Sequence, residues 1–478
     1  MRLRKYSPCR SIIKHKNKNS ASKASLRRQD IISKPIGQQL VKLTIPMLYA
    51  LISIMGLGLV DSYFISYLGT EQLAAIGFIV PITSIVTSIG LGLGMAISSL
   101  VSKLIGAGQL SSAARLITNG FYLTAAVSLI TVIILIWQMD VIFKSIGAND
   151  ETLAFISQYM SIWIFAAPLT MLTMVSSSTF RSLGDTGTSA RIALSMTIVN
   201  VIFDPLLIFG IGPFPELGMH GAALATLLAV VTSCLMGFYE LAIKEKFLLT
   251  ILPKWQELKV SIMQLLDIAI PAILANAIVP ITAAVLTTLV AKFGVDAVAG
   301  YGVGIRLEAV SLMIVYALSS TLPMFIGQNL GAKKLDRVHQ AIKIAFRFVL
   351  MLQLAIYVLL FFSTSLIAGL FSSEQSVIET ITLYLWIVPI SYGLSGVVIL
   401  VNVSMNVLGK PRLALYINIV RLAVFYFPLA YLGAHYFGLK GLFIGIAVGN
   451  CCAYLIAVVL LNKTMQKMNI EEHEHLST

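Results

Sequence analysis

Charged residues are scarce in this chain of 478 residues. Asp, Glu, Lys and Arg make up 12% of it, 58% is apolar, and the mean hydropathy is +0.89. A soluble protein carries about a quarter of its residues as charged groups. The chain therefore lacks the polar surface that a water-soluble domain needs, and its composition indicates an integral membrane protein.

Cysteine and histidine are also rare and are poorly placed for chemistry. Cys9 lies in a basic N-terminal segment and Cys234, Cys451 and Cys452 lie in apolar segments, so neither a disulfide nor a metal cluster is predicted. The histidines are scattered through tails, loops and the ends of apolar segments: His15, His220, His339, His435, His473 and His475. An integral-membrane enzyme such as a lipid transferase needs catalytic acids, histidines or metal ligands near the membrane surface. We therefore expect neither enzymatic activity nor a cofactor.

Long apolar runs recur along the whole chain. Each is long enough to cross a hydrocarbon layer of ~30 Å as a helix, and the short alternating segments of a membrane barrel are not seen. Twelve spans are predicted, near residues 40–67, 73–102, 116–138, 152–180, 190–211, 218–243, 261–292, 297–326, 340–369, 377–406, 412–436 and 440–462. The predicted fold is an all-α integral membrane protein of 12 transmembrane helices, whose short connections leave no room for a soluble catalytic domain.

Lys and Arg are unevenly distributed between alternate loops. If the N-terminus is cytoplasmic, the loops on its side contain fifteen Lys or Arg, and those on the opposite side contain three, Lys144, Lys292 and Lys440. This asymmetry follows the positive-inside rule. It predicts a multi-pass protein of the inner (plasma) membrane with both termini in the cytoplasm. The net charge of +13 then reflects topology, and we expect the lipid bilayer, not nucleic acid, as a partner.

The N-terminal segment is strongly basic. Residues 1–44 contain twelve Lys or Arg and one acid, Asp30. The composition is typical of a disordered tail lying against anionic lipid headgroups. An organelle transit peptide and a start codon assigned too early are the alternatives. The predicted organisation is a basic cytoplasmic tail (1–38), an N-lobe (39–245), a cytoplasmic linker (246–260), a C-lobe (261–465) and a second cytoplasmic tail (466–478).

The two halves of the chain repeat each other. At an offset of 225 residues, Ile45-Pro46 matches Ile270-Pro271, Gly106-Ala107 matches Gly331-Ala332, Tyr159 matches Tyr384, and Gly184 matches Gly409. After the fifth span the offset becomes 220, and Gly218 and Gly221 match Gly438 and Gly441. Because each copy has six spans, the copies are parallel repeats. We expect two pseudo-symmetric six-helix lobes facing a central cleft, an architecture typical of transporters.

Several segments resemble one transporter family. They include "LVDSYFISYLGTEQLAAIGFIVPI", "LVSKLIGAGQLSSAARL", "STFRSLGDTGTSAR", "GIRLEAVSLMIVYALSSTLPMFIGQNLGAKKLDRV" and "VLGKPRLAL". The chain resembles the multidrug and toxic compound extrusion (MATE) family from about residue 35 to 465, and most of all its prokaryotic DinF-like branch. The resemblance implies an efflux antiporter, with no cofactor, that expels bulky cationic or amphipathic organic compounds in exchange for entering H⁺ or Na⁺.

Three carboxylates lie deep within predicted spans, where each costs about 2.5–3.5 kcal/mol to insert: Asp61, Asp204 and Glu308. Asn200 precedes Asp204 by one helical turn, and Pro205 leaves the carbonyl of Val201 without its helical donor. Counted from the cytoplasmic ends of their helices at 1.5 Å per residue, Asp61 and Asp204 both lie in the outer half of the membrane. Such oxygens suit either Na⁺ or a shared proton. Hydrogen bonding of Asn200 and Asp204 to a neighbouring helix is the structural alternative.

The internal repeat distinguishes a functional role of these polar residues from a role in helix packing. Asp61, Asn200 and Asp204 correspond to Leu286, Phe425 and Leu429 in the second half. A packing requirement shared by both halves would have kept polar residues in both, so ion coupling is predicted only in the N-lobe. The family resemblance places Asp61, Asn200 and Asp204 in a cation or proton site. It also suggests Thr226 as a further ligand, although its hydroxyl could bond its own helix instead.

The second half has charges of its own. Residues two apart do not face each other on a helix, so Arg306 and Glu308 are not expected to pair. Glu308 is predicted either to form an ion pair with Arg421 or to serve as a substrate contact or second proton site. Most aromatic and methionine side chains in the spans pack or face lipid, and Met174 and Tyr301 are candidates for an adaptable substrate-binding wall.

The predicted mechanism is alternating access by a monomer. Binding of H⁺ or Na⁺ at Asp61 and Asp204 releases substrate outward, with bending at Pro46, Gly56, Gly58 and Pro205. The alternative function is a lipid-linked oligosaccharide flippase of the same wider superfamily. A flippase would need a basic cavity for a pyrophosphate, whereas three acids and two arginines are predicted within the membrane.

Overall fold

The computed structural model describes residues 18–249 and 254–477, and the secondary structure in these ranges is helical. Contacts divide the chain into two compact units. Unit 1 runs to Ile273 and also includes Gly327–Lys333, whereas unit 2 comprises Leu274–Ile326 and the chain from Lys334 onward. The unit boundary therefore falls within a helix, and the predicted linker 246–260 already contains that helix's first residue, Trp255.

Unit 1 is built from seven helices and the first part of an eighth. They are α1 (Lys18–Ser33), α2 (Ile36–Ser66), α3 (Thr70–Gly106), α4 (Leu110–Ser145), α5 (Asp150–Ser182), α6 (Thr186–Ile208), α7 (Gly218–Tyr239) and α8 (Trp255–Ala291). A π-helical turn, Glu240–Lys244, extends α7. Helix α5 packs against α3 and α7, and α6 packs against α2 and α7. Four helices, α2, α5, α6 and α7, thus surround one interior.

Unit 2 contains the remainder of α8 and eight further helices. They are α9 (Val295–Ser311), α10 (Met313–Gly331), α11 (Leu335–Phe362), α12 (Thr364–Phe371), α13 (Gln375–Ile387), α14 (Tyr392–Val407), α15 (Pro411–Val420) and α16 (Phe427–Ser477). A 3₁₀ turn, Pro389–Ser391, joins α13 to α14, and a π-helical turn, Arg421–Tyr426, joins α15 to α16. Residues Gly327–Lys333, at and after the end of α10, group with unit 1.

The number of membrane crossings agrees with the sequence. Ten of the described helical stretches are long and apolar enough to cross a membrane, and α9 and α10, which meet at a 43° bend, make an eleventh. The 60-residue stretch Pro411–Ile470 counts once among the ten, although non-helical angles at Phe437 and Gly438 divide it. Counting its two parts separately gives the predicted twelve.

The matched glycines show that the repeat extends to backbone conformation. Gly184 and Gly409 have φ angles of +79° and +80°, and Gly218 and Gly438 have φ angles of +53° and +62°. Residues with a Cβ rarely adopt this left-handed region. Equivalent loops in the two halves therefore turn in the same way, which explains why glycine is found at both members of each pair.

The N-terminal segment is not the disordered tail that its composition suggested. Lys18–Ser33 forms α1, in which Ala24, Ile31 and Ile32 are buried. Arg27 of this helix forms ion pairs with Asp185 and Glu245. The expectation of disorder is wrong for these residues because the basic side chains have acidic partners far along the chain. The part of the predicted tail before residue 18 lies outside the described residues.

Candidate functional site

Asp61, Asn200 and Asp204 come together inside unit 1. Asp61 lies near the end of α2 and the other two lie on α6, which packs against α2. Asn200 Nδ2 donates to Asp204 Oδ1 at 3.2 Å, and the carboxyl groups of Asp61 and Asp204 lie within reach of a shared hydrogen bond. Asp204 is fully buried and Asn200 is 2% exposed. The sequence-based prediction that depth brings these residues together agrees with this geometry.

Thr226 joins this group from α7. Gly221 lies at the start of α7, where a Cβ would come within 2.2 Å of the carbonyl oxygen of Leu207 on α6. The absence of a side chain at Gly221 therefore lets the two helices approach closely. The Thr226 hydroxyl donates to the carbonyl of Ala222 at 3.1 Å and accepts from Asn200 Nδ2 at 3.5 Å. It thus bonds its own helix while its oxygen still faces the cluster.

A cavity of about 220 Å³ lies beside these residues. Asp61, Asn200 and Thr226 contribute its polar lining, and its apolar wall includes Ile54, Leu57, Met196 and Val230. All of these residues belong to unit 1. The cavity is therefore lined mainly by apolar side chains with a few polar groups, as small-molecule sites are.

Tyr159 is the fifth residue of the cluster, and the sequence did not identify it as functional. It lines the same cavity from α5, and its phenol lies close to Thr226, Asp61 and Asp204. The internal repeat could have pointed to Tyr159. Its equivalent in the second half, Tyr384, donates to Glu308 Oε2 at 2.9 Å in unit 2. At this repeated position, each unit thus has a tyrosine close to a carboxylate of its interior.

Three buried oxygens of the cluster have no hydrogen-bond partner in the described part of the chain. They are Asp61 Oδ1, Asn200 Oδ1 and Asp204 Oδ2. Buried polar atoms without partners are costly, at about 1–3 kcal/mol each. Carboxylate and amide oxygens are ligands for hard cations, and two neighbouring carboxylates also bind a shared proton. The arrangement can therefore bind one small cation.

A separate polar network occupies unit 2. Arg421 Nη2 donates to Ser395 Oγ at 3.0 Å, Tyr426 OH at 2.9 Å and Asn450 Oδ1 at 2.9 Å. Asn450 Nδ2 donates in turn to Ser391 Oγ at 2.9 Å. Arg421 begins the π-helical turn, and Ser391 ends the 3₁₀ turn. Interruptions of this kind are frequent at functional sites.

The predicted ion pair between Glu308 and Arg421 is not formed. The ion pairs of the described chain do not include it, because Glu308 accepts from Tyr384 while Arg421 uses uncharged acceptors. Arg306 is exposed. Tyr301 is buried against Tyr384 and Phe443, whereas Met174 belongs to unit 1 and packs against Gly90. Met174 and Tyr301 therefore belong to different units.

The four residues proposed as hinges lie within unbroken helices. Helix α2 runs continuously through Pro46, Gly56 and Gly58, and α6 continues past Pro205 to Ile208. A Cβ placed on Gly56 or Gly58 would meet no atom within 4 Å. The backbone of α2 near Asp61 is therefore free of close packing at these two glycines, and their role as hinges stays a prediction.

Apolar spans, an internal repeat and a buried polar cluster beside a cavity define a multi-pass membrane transporter. The MatE family model matches residues 46–206 and 271–432, one segment in each half of the chain. The chain belongs to the MATE family of transporters, whose solved structures have twelve transmembrane helices in two lobes.

Among relatives of known function, the chain is 39% identical over 437 residues to a FAD transporter of Shewanella oneidensis, covering 90% of this chain and 96% of that one. It is 25% identical over 442 residues to the multidrug export protein MepA of Staphylococcus aureus, covering 92% and 96%. Among solved structures, the Vibrio cholerae MATE transporter VcmN in its bent form is 33% identical, with a TM-score of 0.85, covering 94% of this chain and 99% of that one.

Proposed function

We propose that this protein is an exporter of large organic molecules driven by the entry of a cation, H⁺ or Na⁺. Asp61, Asn200, Asp204 and Thr226 form the cation site, with Tyr159 beside it. The observation that carries the proposal is the set of three unpartnered oxygens next to a 220 Å³ cavity. A cation bound between Asp61 and Asp204 offsets one of their two negative charges and gives these oxygens a partner, which lowers the cost of leaving them buried.

The transport cycle exposes this cavity to the two sides of the membrane in turn. Cation binding from outside draws α2 and α6 together through Asp61 and Asp204, and α2 bends at Pro46, Gly56 or Gly58 as the cavity narrows. Substrate then leaves outward, and loss of the cation to the cytoplasm restores the cavity. We place the protein in the inner membrane as a functional monomer with both termini cytoplasmic, in agreement with the distribution of Lys and Arg.

A flavin dinucleotide of the FAD type is the first substrate that we propose. It is supported by the Shewanella relative, which is 39% identical and is named a FAD transporter. A planar flavin ring is suited to a cavity whose wall is largely apolar. The pyrophosphate of such a molecule is repelled by ionised carboxylates, so we place it away from Asp61 and Asp204.

Organic cations and amphipathic drugs are the second candidate class. Two carboxylates beside an apolar wall attract a positively charged aromatic compound, and MepA, a multidrug export protein, is 25% identical over 92% of this chain. In this case substrate and coupling cation compete for the same negative charge, which gives a direct physical reason for antiport.

The polar groups of unit 2 are proposed to contact substrate or to bind a second proton. Glu308 accepts one hydrogen bond from Tyr384, and Arg421 is fixed through Nη2 by Ser395, Tyr426 and Asn450. Tyr301 stacks on Phe443 beside Tyr384. We propose that Arg306, which is exposed, and Tyr301 contribute to substrate contacts in unit 2, and that Met174, a flexible apolar side chain, contributes in unit 1.

The test is transport by purified protein in lipid vesicles. Efflux of FAD and of a fluorescent cationic dye is measured separately under an imposed pH gradient and an imposed Na⁺ gradient. We expect one gradient to drive one of these substrates, and Asp61→Asn to reduce the rate to that of empty vesicles. The carboxamide keeps the shape of the side chain but cannot lose or gain the charge.

Two controls make the result interpretable. Asp140→Asn removes an acid for which we propose no role, and this variant should transport normally. Circular dichroism and gel filtration should show that Asp61→Asn remains folded. Normal transport by a folded Asp61→Asn variant would refute the cation site, and the absence of any gradient-driven flux of either compound would refute the proposed function.

A further inference from the structure

Helix α1 is held against one end of unit 1. Its residues Ala24, Ile31 and Ile32 are buried, whereas Lys23 and Gln29 on its outer side are exposed. The Cδ1 atom of Ile31 lies at Gly184, where a Cβ would come within 2.8 Å of it. Gly184 lies in the loop between α5 and α6, so this apolar contact fixes α1 on the turn that joins those helices.

Arg27 connects two further helix ends. Its guanidinium lies 2.7 Å from Asp185 Oδ2 and 3.2 Å from Glu245 Oε1. The side chain of Asp185 also caps α6 by accepting from the backbone N–H of Thr188, and Glu245 follows the π-helical turn at the end of α7. Because both acids are largely buried, these pairs are less screened by solvent than exposed ones.

Arg28 binds a third helix end. Its Nε and Nη2 atoms donate to the carbonyl oxygen of Gly106, the last residue of α3, at 2.9 and 2.8 Å. The last carbonyls of a helix have no partner within the helix and carry partial negative charge. Hydrogen bonds from a charged guanidinium to such a carbonyl are stronger than those from a neutral donor.

Residues that contact α1 also form the surface, called the seat, on which Gln328 packs near the end of α10. Gln328 Nε2 donates to the carbonyl of Ser182 at 2.8 Å, within the turn that α1 contacts. A Cβ on Gly106 would lie 2.1 Å from the carbonyl oxygen of Gln328, and a Cβ on Gly331 would lie 2.0 Å from the carbonyl oxygen of Lys103. Arg28 and Arg27 thus immobilise both sides of this seat, Gly106 and the turn Ser182–Asp185.

We propose that α1 is a latch that holds Gly327–Lys333 in its seat on α3 and on the turn between α5 and α6. The contacts of Arg27 and Arg28 hold these helix ends together. Loss of these contacts lowers the free energy needed to separate the helix ends. This inference rests on the proposed transport cycle for its effect on rate, because export requires this end of the protein to open. The contacts themselves are independent of substrate and coupling ion.

The test compares hydrogen–deuterium exchange in Arg27→Ala/Arg28→Ala with exchange in the matched variant Lys23→Ala/Gln29→Ala, which alters only the exposed side of α1. We expect the arginine variant to raise exchange at Ser182–Asp185 and Gly327–Lys333 by at least about threefold, the scale set by losing partly exposed ion pairs. The matched variant should exchange like the unaltered protein. Amides in the centres of α2 and α5 should be unaffected in both.

Vesicle transport supplies the second measurement. We expect Arg27→Ala/Arg28→Ala to raise the maximal rate while leaving the substrate concentration for half-maximal rate unchanged. Exchange that rises throughout unit 1 would show a general loss of stability and would overturn the latch, as would unchanged exchange at Gly327–Lys333. Raised exchange at the seat, in a protein that transports nothing with or without the substitutions, would support the latch and refute the proposed transport function.

Discussion

The buried acids of unit 1 have no counterpart at the equivalent positions of unit 2. Leu286, which matches Asp61, is 5% exposed, and Phe425 and Leu429 match Asn200 and Asp204. The shared backbone conformation of the repeat therefore does not require polar groups at these positions. In the proposed function, the charge of Asp61 is balanced by a cation, and the cluster around it supplies the remaining oxygens.

Tyr159→Phe tests the part of the cluster that was found only in the structure. Loss of the phenol next to Asp61 and Thr226 should lower the apparent affinity for the coupling cation by roughly tenfold, as one hydrogen bond of about 1.4 kcal/mol implies. The measurement is transport rate against H⁺ or Na⁺ concentration in vesicles. Tyr49→Phe, at an exposed tyrosine of α2, is the control and should leave the affinity unchanged. Equal affinities in the two variants would exclude Tyr159 from the site.

Most of the cluster could be predicted at the level of single residues. Asn200 and Asp204 are one helical turn apart, and the depth of Asp61 follows from counting residues along α2. The sequence does not identify Tyr159 as a site residue, because an aromatic side chain in an apolar helix usually packs against other apolar side chains. The absence of an ion pair between Glu308 and Arg421 could not be predicted either, because Tyr384, Tyr426 and Asn450 reach these residues from other helices.

At the scale of helices, the crossing of α3 with the end of α10 depends on two glycines from equivalent positions of the repeat. Gly106 lies against the backbone of Gln328, and Gly331 lies against the backbone of Lys103. Their spacing of 225 residues matches the repeat offset, as does the spacing of Lys103 and Gln328. Two equivalent glycines therefore pack in a reciprocal way, each against the backbone three residues before the other.

Gly106→Ala should disrupt this crossing. The added Cβ meets backbone, which cannot move aside as a flexible side chain can, so we expect a loss of about 1–3 kcal/mol in the free energy of unfolding. Gly77→Ala is the matched control on the same helix, because a Cβ there meets no atom within 4 Å. Denaturant unfolding in detergent compares the two. The reciprocal packing would be contradicted if Gly106→Ala were as stable as Gly77→Ala.

Helix α1 marks the limit of prediction at this scale. Its sequence is basic and contains several serines, a composition typical of a disordered tail. The order of α1 comes from Asp185, Glu245 and the carbonyl of Gly106, which are brought together only when α3, α6 and α7 have packed. The sequence of α1 alone does not indicate which distant residues will contact it. Span number, in contrast, is a local property, and the twelve crossings were predictable.

At the scale of the whole molecule, the proposed orientation has a direct test. Lys246, after the π-helical turn that extends α7, and Ser145, at the end of α4, are exposed, and the sequence places them on opposite sides of the membrane. In a variant lacking Cys9, Cys234, Cys451 and Cys452, we expect Lys246→Cys to react with a membrane-impermeant maleimide only in inverted vesicles. Ser145→Cys should react in intact cells. Reaction of both positions from the same side would contradict the topology and the cytoplasmic placement of α1.

The proposed cation cluster lies entirely within unit 1, and this bears on how such a protein could have evolved. A chain with an internal repeat is descended from a shorter ancestor that was duplicated. Because Asp61, Asn200, Asp204, Thr226 and Tyr159 all belong to one unit, the cluster could be gained or lost in one copy after duplication without any change in the other. The second copy has its own polar groups, Glu308 and Arg421, with their own hydrogen-bond partners.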